Sequence, residues 1–357
     1  MKRCLLSIIV VLCLVLSGCS WMDGHYVSVT PHQEHLPANQ SGDTAASDYL
    51  ELREALENMV NSGLESAVIN VSEYRQEMVE RGIRTAAHYI RELYPLGAYA
   101  VDQVEYEIGT VGGQPAVAVN ISYVHGRSEI LKVQKARSME RAEQIVAEVL
   151  EQCSEGITLL ITDYEDLDWV QMVEDYTKLN PDTVMELPQV AVGIYPDAGS
   201  SRVVELKFTY QTSRDSLRHM QDQVSRIFAS AALYINSDAS DGLKYEQLYN
   251  FLMERSDYQI ETSITPAYSL LSHGVGDSEA FAMVYAAMCR QAGLNCQIVS
   301  GTREGEPRYW NLIQENGVYY HLDLLQSSDA GHFRKMTEAE MQGYVWDYSA
   351  YTGEEAE

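Results

Sequence analysis

The chain has 357 residues, 46% of them hydrophobic, enough for two or three cores at the usual ~100 to 200 residues per domain. It carries 25 Lys plus Arg against 52 Asp plus Glu, a formal charge of -27. Phosphate binding draws its free energy from basic side chains that displace counterions, so no nucleic-acid partner is expected, and the acidity reads as a solvated, soluble surface.

At the N-terminus Lys2 and Arg3 precede the apolar run Leu5 to Leu16, followed by Leu16-Ser17-Gly18-Cys19. The run is too short to cross a hydrocarbon core of ~30 Å as a helix, which makes it the apolar region of a signal peptide rather than a permanent span. Small residues at Ser17 and Gly18 open the backbone to a peptidase, and the Cys19 thiol is suited to a diacylglycerol chain. This is the pattern of a lipoprotein signal peptide and lipobox over residues 1–19. The expected mature protein starts at Cys19, is exported, and is held by lipid at the extracytoplasmic face of a cell membrane. Losing the cations Lys2 and Arg3 takes its charge from -27 to -29.

Processing also settles the cysteine count. Cys4 and Cys13 leave with the signal and Cys19 is lipidated, so Cys153, Cys289 and Cys296 remain. An odd number in a body this large does not read as a disulfide framework. Cys289 and Cys296 flank a helix end at Gly293, where pairing is conceivable, but buried free thiols are the expectation. No Cys/His spacing suggests zinc, and neither a metal nor a cofactor is expected.

Residues 20–47 are polar and dotted with Pro, Gly and Ser. They read as a flexible tether of ~30 Å reach. His25, His32 and His35 fall in it, and a flexible segment does not preorganise a metal site.

Residues 48–235 hold a weak internal repeat with an offset of roughly 86 to 90 residues. In residues 48–153, AVINVSEY leads into a helix whose Val79, Ile83, Ala86, Ile90 and Leu93 make one apolar stripe. Val104, Tyr106 and Ile108 then alternate, Gly112-Gly113 turns the chain, and Val117, Val119 and Ile121 alternate again, the pattern of a hairpin. A helix through Met139, Ala142, Ile145 and Val149 closes the unit. Residues 154–235 repeat the order, with ITLLITDY, a helix through Val170 and Val173, strands at Val190–Ile194 and Val204–Tyr210, and a helix through Leu217, Val224 and Ile227. The expected fold class is therefore α+β, with two tandem β-α-β-β-α units before a third domain. The acidic cluster Asp163, Glu165, Asp166 and Asp168 lacks the glycine and distal glutamate of a calcium loop and sits at a helix start, where carboxylates oppose the helix dipole.

The third domain, residues 236–353, carries four pieces in order: LKYEQLYNFLMERSDYQI, AYSLLSHGVGDSEAFAMVYAAMCRQAGLNCQIVSG, RYWNLIQENGVYYHLDLL and GYVWDYSAY. Together they resemble the bacterial transglutaminase-like domain, a papain-related α+β fold. The resemblance implies a thiol at a helix N-terminus, a histidine on a neighbouring strand and an acid that orients it. Where the family has its cysteine this chain has Ser278, and where it has its histidine this chain has Arg308. Asp323 matches the acid, and Trp310 and Asn311 match the residues flanking the cleft.

A hydroxyl without a base is a poor nucleophile, and a guanidinium does not accept its proton at physiological pH. Arg308 is expected to form an ion pair with Asp323 instead. Two rescue bases are open: His321, two residues before Asp323, and His273, five before Ser278. Two functions follow. In the first, the domain is a catalytically inactive member of its class that binds a protein, a peptide or a cell-wall component at the cell surface. In the second, Ser278 serves a cell-surface hydrolase or acyl transferase with a displaced histidine.

Overall fold

The computed structural model describes residues 44–259 and 263–352. The residues expected to form the signal peptide, Cys19, and those expected to form the tether up to Asp43, with their three histidines, lie outside the described residues. Among the described residues no helix is long and apolar enough to cross a membrane.

The folded body starts earlier than its hydrophobic periodicity suggests. Residues 44–47, read from the sequence as the end of the tether, lie against the first strand: Ala45 bridges Asn70, and buried Ala46 donates its N–H to the Asn70 carbonyl at 2.8 Å. Helix α1 (Tyr49–Ser62) follows. Asp48 caps it by accepting the Glu51 N–H at 3.0 Å, and Gly63, at φ 62°, ends it in the left-handed conformation. Strand β1 (Ser66–Asn70), helix α2 (Val79–Glu92), the short helix α3 (Pro95–Ala100) and strands β2 (Val101–Val111) and β3 (Gln114–Tyr123) complete this region. The sheet is antiparallel in the order β1-β3-β2. Gly112 and Gly113, with φ of 60° and 81°, form the tight turn whose twist matches the flanking strands.

The next region contains β4 (Gln134–Ala136), α4 (Met139–Glu151), β5 (Gly156–Ile161), α5 (Trp169–Leu179), β6 (Gln189–Tyr195) and β7 (Arg202–Thr209). Its sheet runs β4-β5-β7-β6, with β4 parallel to β5 and the other pairs antiparallel. Asp168, from the acidic cluster, caps α5 by accepting the Val170 and Gln171 N–H groups at 3.1 and 3.0 Å.

Helices at the two expected boundaries pack differently from the sequence reading. The sequence order assigns helix α4 to the end of the first unit, yet Ala142, Ile145, Val146 and Leu150 pack with Leu159 and Ile161 of β5 and Val204 and Leu206 of β7. The same order assigns helix α6 (Arg214–Tyr234) to the end of the second unit, yet Leu217, Val224 and Phe228 enter the core of the last third. An apolar stripe says that a helix is buried on one side, and it does not say whether the preceding or the following sheet covers it. Residue 236 consequently lies in an exposed loop on a continuous core rather than between separate ones.

The last third comprises α7 (Asp241–Met253), β8 (Asp257–Tyr258), β9 (Val275–Gly276), α8 (Ser278–Gln291), β10 (Cys296–Arg303), β11 (Glu306–Glu315), β12 (Val318–Leu322), α9 (Leu324–Asp329) and β13 (Tyr344–Trp346). Its antiparallel sheet has the order β12-β11-β10-β13. Every residue of α8 from Ala280 to Cys289 is buried, because this helix lies between the sheet, α7 and the preceding region. Helix α5 and the turn after it run along α8, joined to it by Lys178 with Glu279 at 3.1 Å and Arg290 with Asp182 at 3.3 Å. A smaller core of Val299, Trp310, Leu312, Met336, Met341 and Tyr344 is gathered by β10, β11 and β13. Among the described residues the three cysteines are thiols, Cys153 and Cys289 buried and Cys296 half-buried.

Candidate functional site

The N-terminus of α8 is built by its own sequence. Asp277 accepts the Ala280 N–H at 2.9 Å, which satisfies one of the donors a helix leaves open at this end. Ser278 is the first residue of the helix and half-buried. Its hydroxyl oxygen accepts the Tyr309 N–H at 3.2 Å, so β11 runs directly past it.

Arg308 precedes Tyr309 on the same strand and turns to Asp323. Its Nε and Nη2 donate to Oδ2 and Oδ1 at 2.8 and 2.7 Å, a two-pronged charge-assisted pair. Burial works against the Arg308 charge, but the hydrogen bond and charge of Asp323 prevail and raise its pKa above the ordinary arginine value. Asp323 is only 1% exposed. It also caps α9, accepting the Leu325 and Gln326 N–H groups, both at 3.1 Å, and it accepts the Tyr344 hydroxyl at 2.8 Å. Burial and the adjacent Asp323 charge push the Tyr344 phenol upward, so it remains a donor.

The structure brings neither histidine to Ser278. Among the described residues no imidazole hydrogen-bonds its hydroxyl. His321 is buried, and its Nδ1 accepts the Trp310 indole N–H at 3.0 Å, which leaves the ring proton on Nε2. Desolvation lowers its pKa to about 4. Its neighbours are aromatic, with the Trp346 ring centroid 4.8 Å away. His273 is exposed at the end of a short π-helical turn, Ser269–His273, edge-on to Tyr268 at 5.3 Å. Asn311 is fully buried and donates to the Ala282 carbonyl at 2.9 Å, tying β11 to α8.

Two groups here escaped sequence reasoning. Tyr344 lies 21 residues beyond the acid it holds. Lys178 comes from α5, pairs with Glu174 and Glu279 at 2.8 and 3.1 Å, and lies 5.8 Å from the Tyr309 ring centroid. Burial opposes its charge, but the two carboxylates raise its pKa, so it stays an ammonium and offers Ser278 no base. The only sequence signal for Tyr344 was its place in GYVWDY, and nothing in the local sequence pointed to Lys178.

Residues 230–348 match the Transglutaminase-like superfamily, and this part of the chain is a transglutaminase-like domain. Similar solved structures include one described as a TGase, with 11% identity and a TM-score of 0.27, covering 61% of this chain and 63% of that one. A putative cysteine protease from Cytophaga hutchinsonii has 12% identity and a TM-score of 0.25, covering 44% of this chain and 70% of that one. A putative protease from Parabacteroides distasonis has 8% identity and a TM-score of 0.24, covering 72% and 39%. The chain thus spans less than two thirds of the length of the first of these. No curated protein matches it.

Proposed function

We propose that this chain is a lipid-anchored extracytoplasmic protein whose transglutaminase-like domain binds a protein, peptide or cell-wall component without turning it over. The observation that carries the reading is the Arg308–Asp323 pair. The acid that would orient an imidazole is filled by five donors, and the group in the imidazole's place is a permanent cation. Among the described residues no base meets the Ser278 hydroxyl, whose partner is the Tyr309 N–H. In a serine protease the loss of one member of such a unit costs ~10⁴ to 10⁶ in rate.

Within this reading the two regions before the domain are tandem copies of one unit. The recurring element positions support the duplication: Tyr49 and Met139, Ser66 and Gly156, and Val79 and Trp169 open corresponding elements, each pair 90 residues apart. The recurring strand order, β1-β3-β2 and β5-β7-β6, supports it too. The copies then run α-β-α-β-β, one helix out of frame with the order that periodicity suggested.

Activity is tested on the mature chain with peptides and cell-wall fragments, following amide hydrolysis and amine incorporation. Both are expected at background, and Ser278→Ala is expected to leave the biological effect intact. Turnover in the wild type that disappears in Ser278→Ala would overturn the binding role. Anchoring is tested by detergent partition and mass spectrometry: Cys19→Ala is expected to accumulate as unlipidated precursor. A native protein recovered wholly from the aqueous phase, without an acyl chain, would refute the anchor.

A further inference from the structure

A cavity of about 160 Å³ opens beside Arg308, between β10, α9 and the junction of α7 with β8. Arg303, Arg308, Met253 and Leu325 on its wall are buried or half-buried, while Asp257 and Asp329 are exposed at its mouth. It therefore has a cationic and apolar interior with an acidic rim, on a protein whose net charge is -27.

Arg303 decides the chemistry. Among the described residues no carboxylate lies within ion-pair distance of its guanidinium, which rests 5.5 Å from the Tyr344 ring centroid. Asp323 cannot supply the missing charge. A carboxylate offers about four lone-pair sites, and Asp323 already accepts five hydrogen bonds, from Arg308 twice, Leu325, Gln326 and Tyr344. Arg308 has given Nε and Nη2 to that acid and keeps Nη1 uncommitted. A half-buried guanidinium without a counter-charge is costly, and an anion entering the cavity would relieve that cost.

Size and sign narrow the ligand further. A cavity of about 150 Å³ accommodates a benzene-sized molecule, so this one holds roughly six to nine non-hydrogen atoms. A simple anion would meet Asp257 and Asp329 at the entrance, and a simple cation would meet Arg303 inside. A dipolar molecule satisfies both. We propose that the cavity binds a free α-amino acid, with its carboxylate on Arg303 and the open edge of Arg308, its ammonium at the Asp257 and Asp329 rim, and its side chain against Met253 and Leu325.

The proposal rests on the domain being a binding module, and the two ideas fail separately. Isothermal titration of the full mature chain in detergent with glycine, L-alanine, D-alanine and L-leucine tests it, with N-acetyl-leucine and leucinamide as controls. At least one free amino acid is expected to bind with a Kd of about 1 mM or tighter. Removing either ligand charge, or making Arg303→Gln, is expected to weaken binding at least about tenfold. The acetyl and amide controls use the wild-type protein, so the test holds even if Arg303→Gln fails to fold. Silent isotherms with all four amino acids, N-acetyl-leucine binding as tightly as leucine, or a folded Arg303→Gln with unchanged affinity would each overturn the proposal. Those results would leave any lack of turnover standing.

Discussion

Asp323→Ala removes more from this domain than one side chain. Five hydrogen bonds disappear together: two from Arg308 at 2.8 and 2.7 Å, two from the first turn of α9 at 3.1 Å each, and one from the Tyr344 hydroxyl at 2.8 Å. Breaking a buried ion pair by deleting one partner costs about 3 to 5 kcal/mol, because the other charge stays buried and unpaired. Loss of a helix N-cap adds about 1 kcal/mol. The sum, about 4 to 6 kcal/mol, is comparable with the whole stability of an ordinary domain, about 5 to 15 kcal/mol. Arg308→Met is the informative contrast. It leaves the Asp323 carboxylate buried without its counter-charge but with three of its five donors and with its helix cap intact, so the expected cost is about 3 kcal/mol, the low end for a broken buried pair. Urea denaturation followed by tryptophan fluorescence measures both, since Trp310 and Trp346 pack around Tyr344 and His321. An Asp323→Ala protein that loses less than Arg308→Met, or less than about 1 kcal/mol, would refute the idea that the acid is the structural hub of this site.

His321 gives the protein a pH dependence of predictable sign. Its folded pKa is near 4 against an ordinary 6.5, so between those values the unfolded chain binds the proton and the folded chain does not. Its contribution is fully present above pH 6.5 and is lost as the pH falls toward 4, by about 3 kcal/mol. His321→Gln keeps an acceptor for the Trp310 indole and removes the titration, so it should flatten the fall in urea midpoint between pH 6.5 and 4. An unchanged slope would count against the assignment. A fragment starting at Asp241 lacks Leu217, Val224 and Phe228 of α6, which belong to the same core as Tyr245, Phe281 and Tyr285. It should aggregate or unfold without cooperativity, whereas one starting at Gln211 should fold better; a cooperative Asp241 fragment with the midpoint of a chain starting at Thr44 would mean that α6 is dispensable.

What the sequence made legible here was local. Cap residues and glycines announce helix ends without reference to the rest of the chain, as at Asp168 and Gly293. Arg308 and Asp323 could be read as neighbours because a single hairpin carries both, with Asn311 opposite Leu322 fixing the register. The same locality explains what escaped. The partners of α4 and α6 lie across a loop in either direction, and an amphipathic stripe is equally satisfied by both. His321 looked available because it shares a strand with the acid, but residues 321 and 323 separate where β12 ends and α9 begins. His321 then meets Trp310 while Asp323 caps a helix. Arg303 is the sharpest case. Strand register sets it opposite Glu306, which read alone is an ordinary ion pair across a hairpin. In the fold its guanidinium instead lies over Tyr344, whose hydroxyl is held by the acid that Arg308 already neutralises. One buried carboxylate thus binds one arginine directly and positions the ring beneath a second, and among the described residues only the first of those charges has a carboxylate within ion-pair distance.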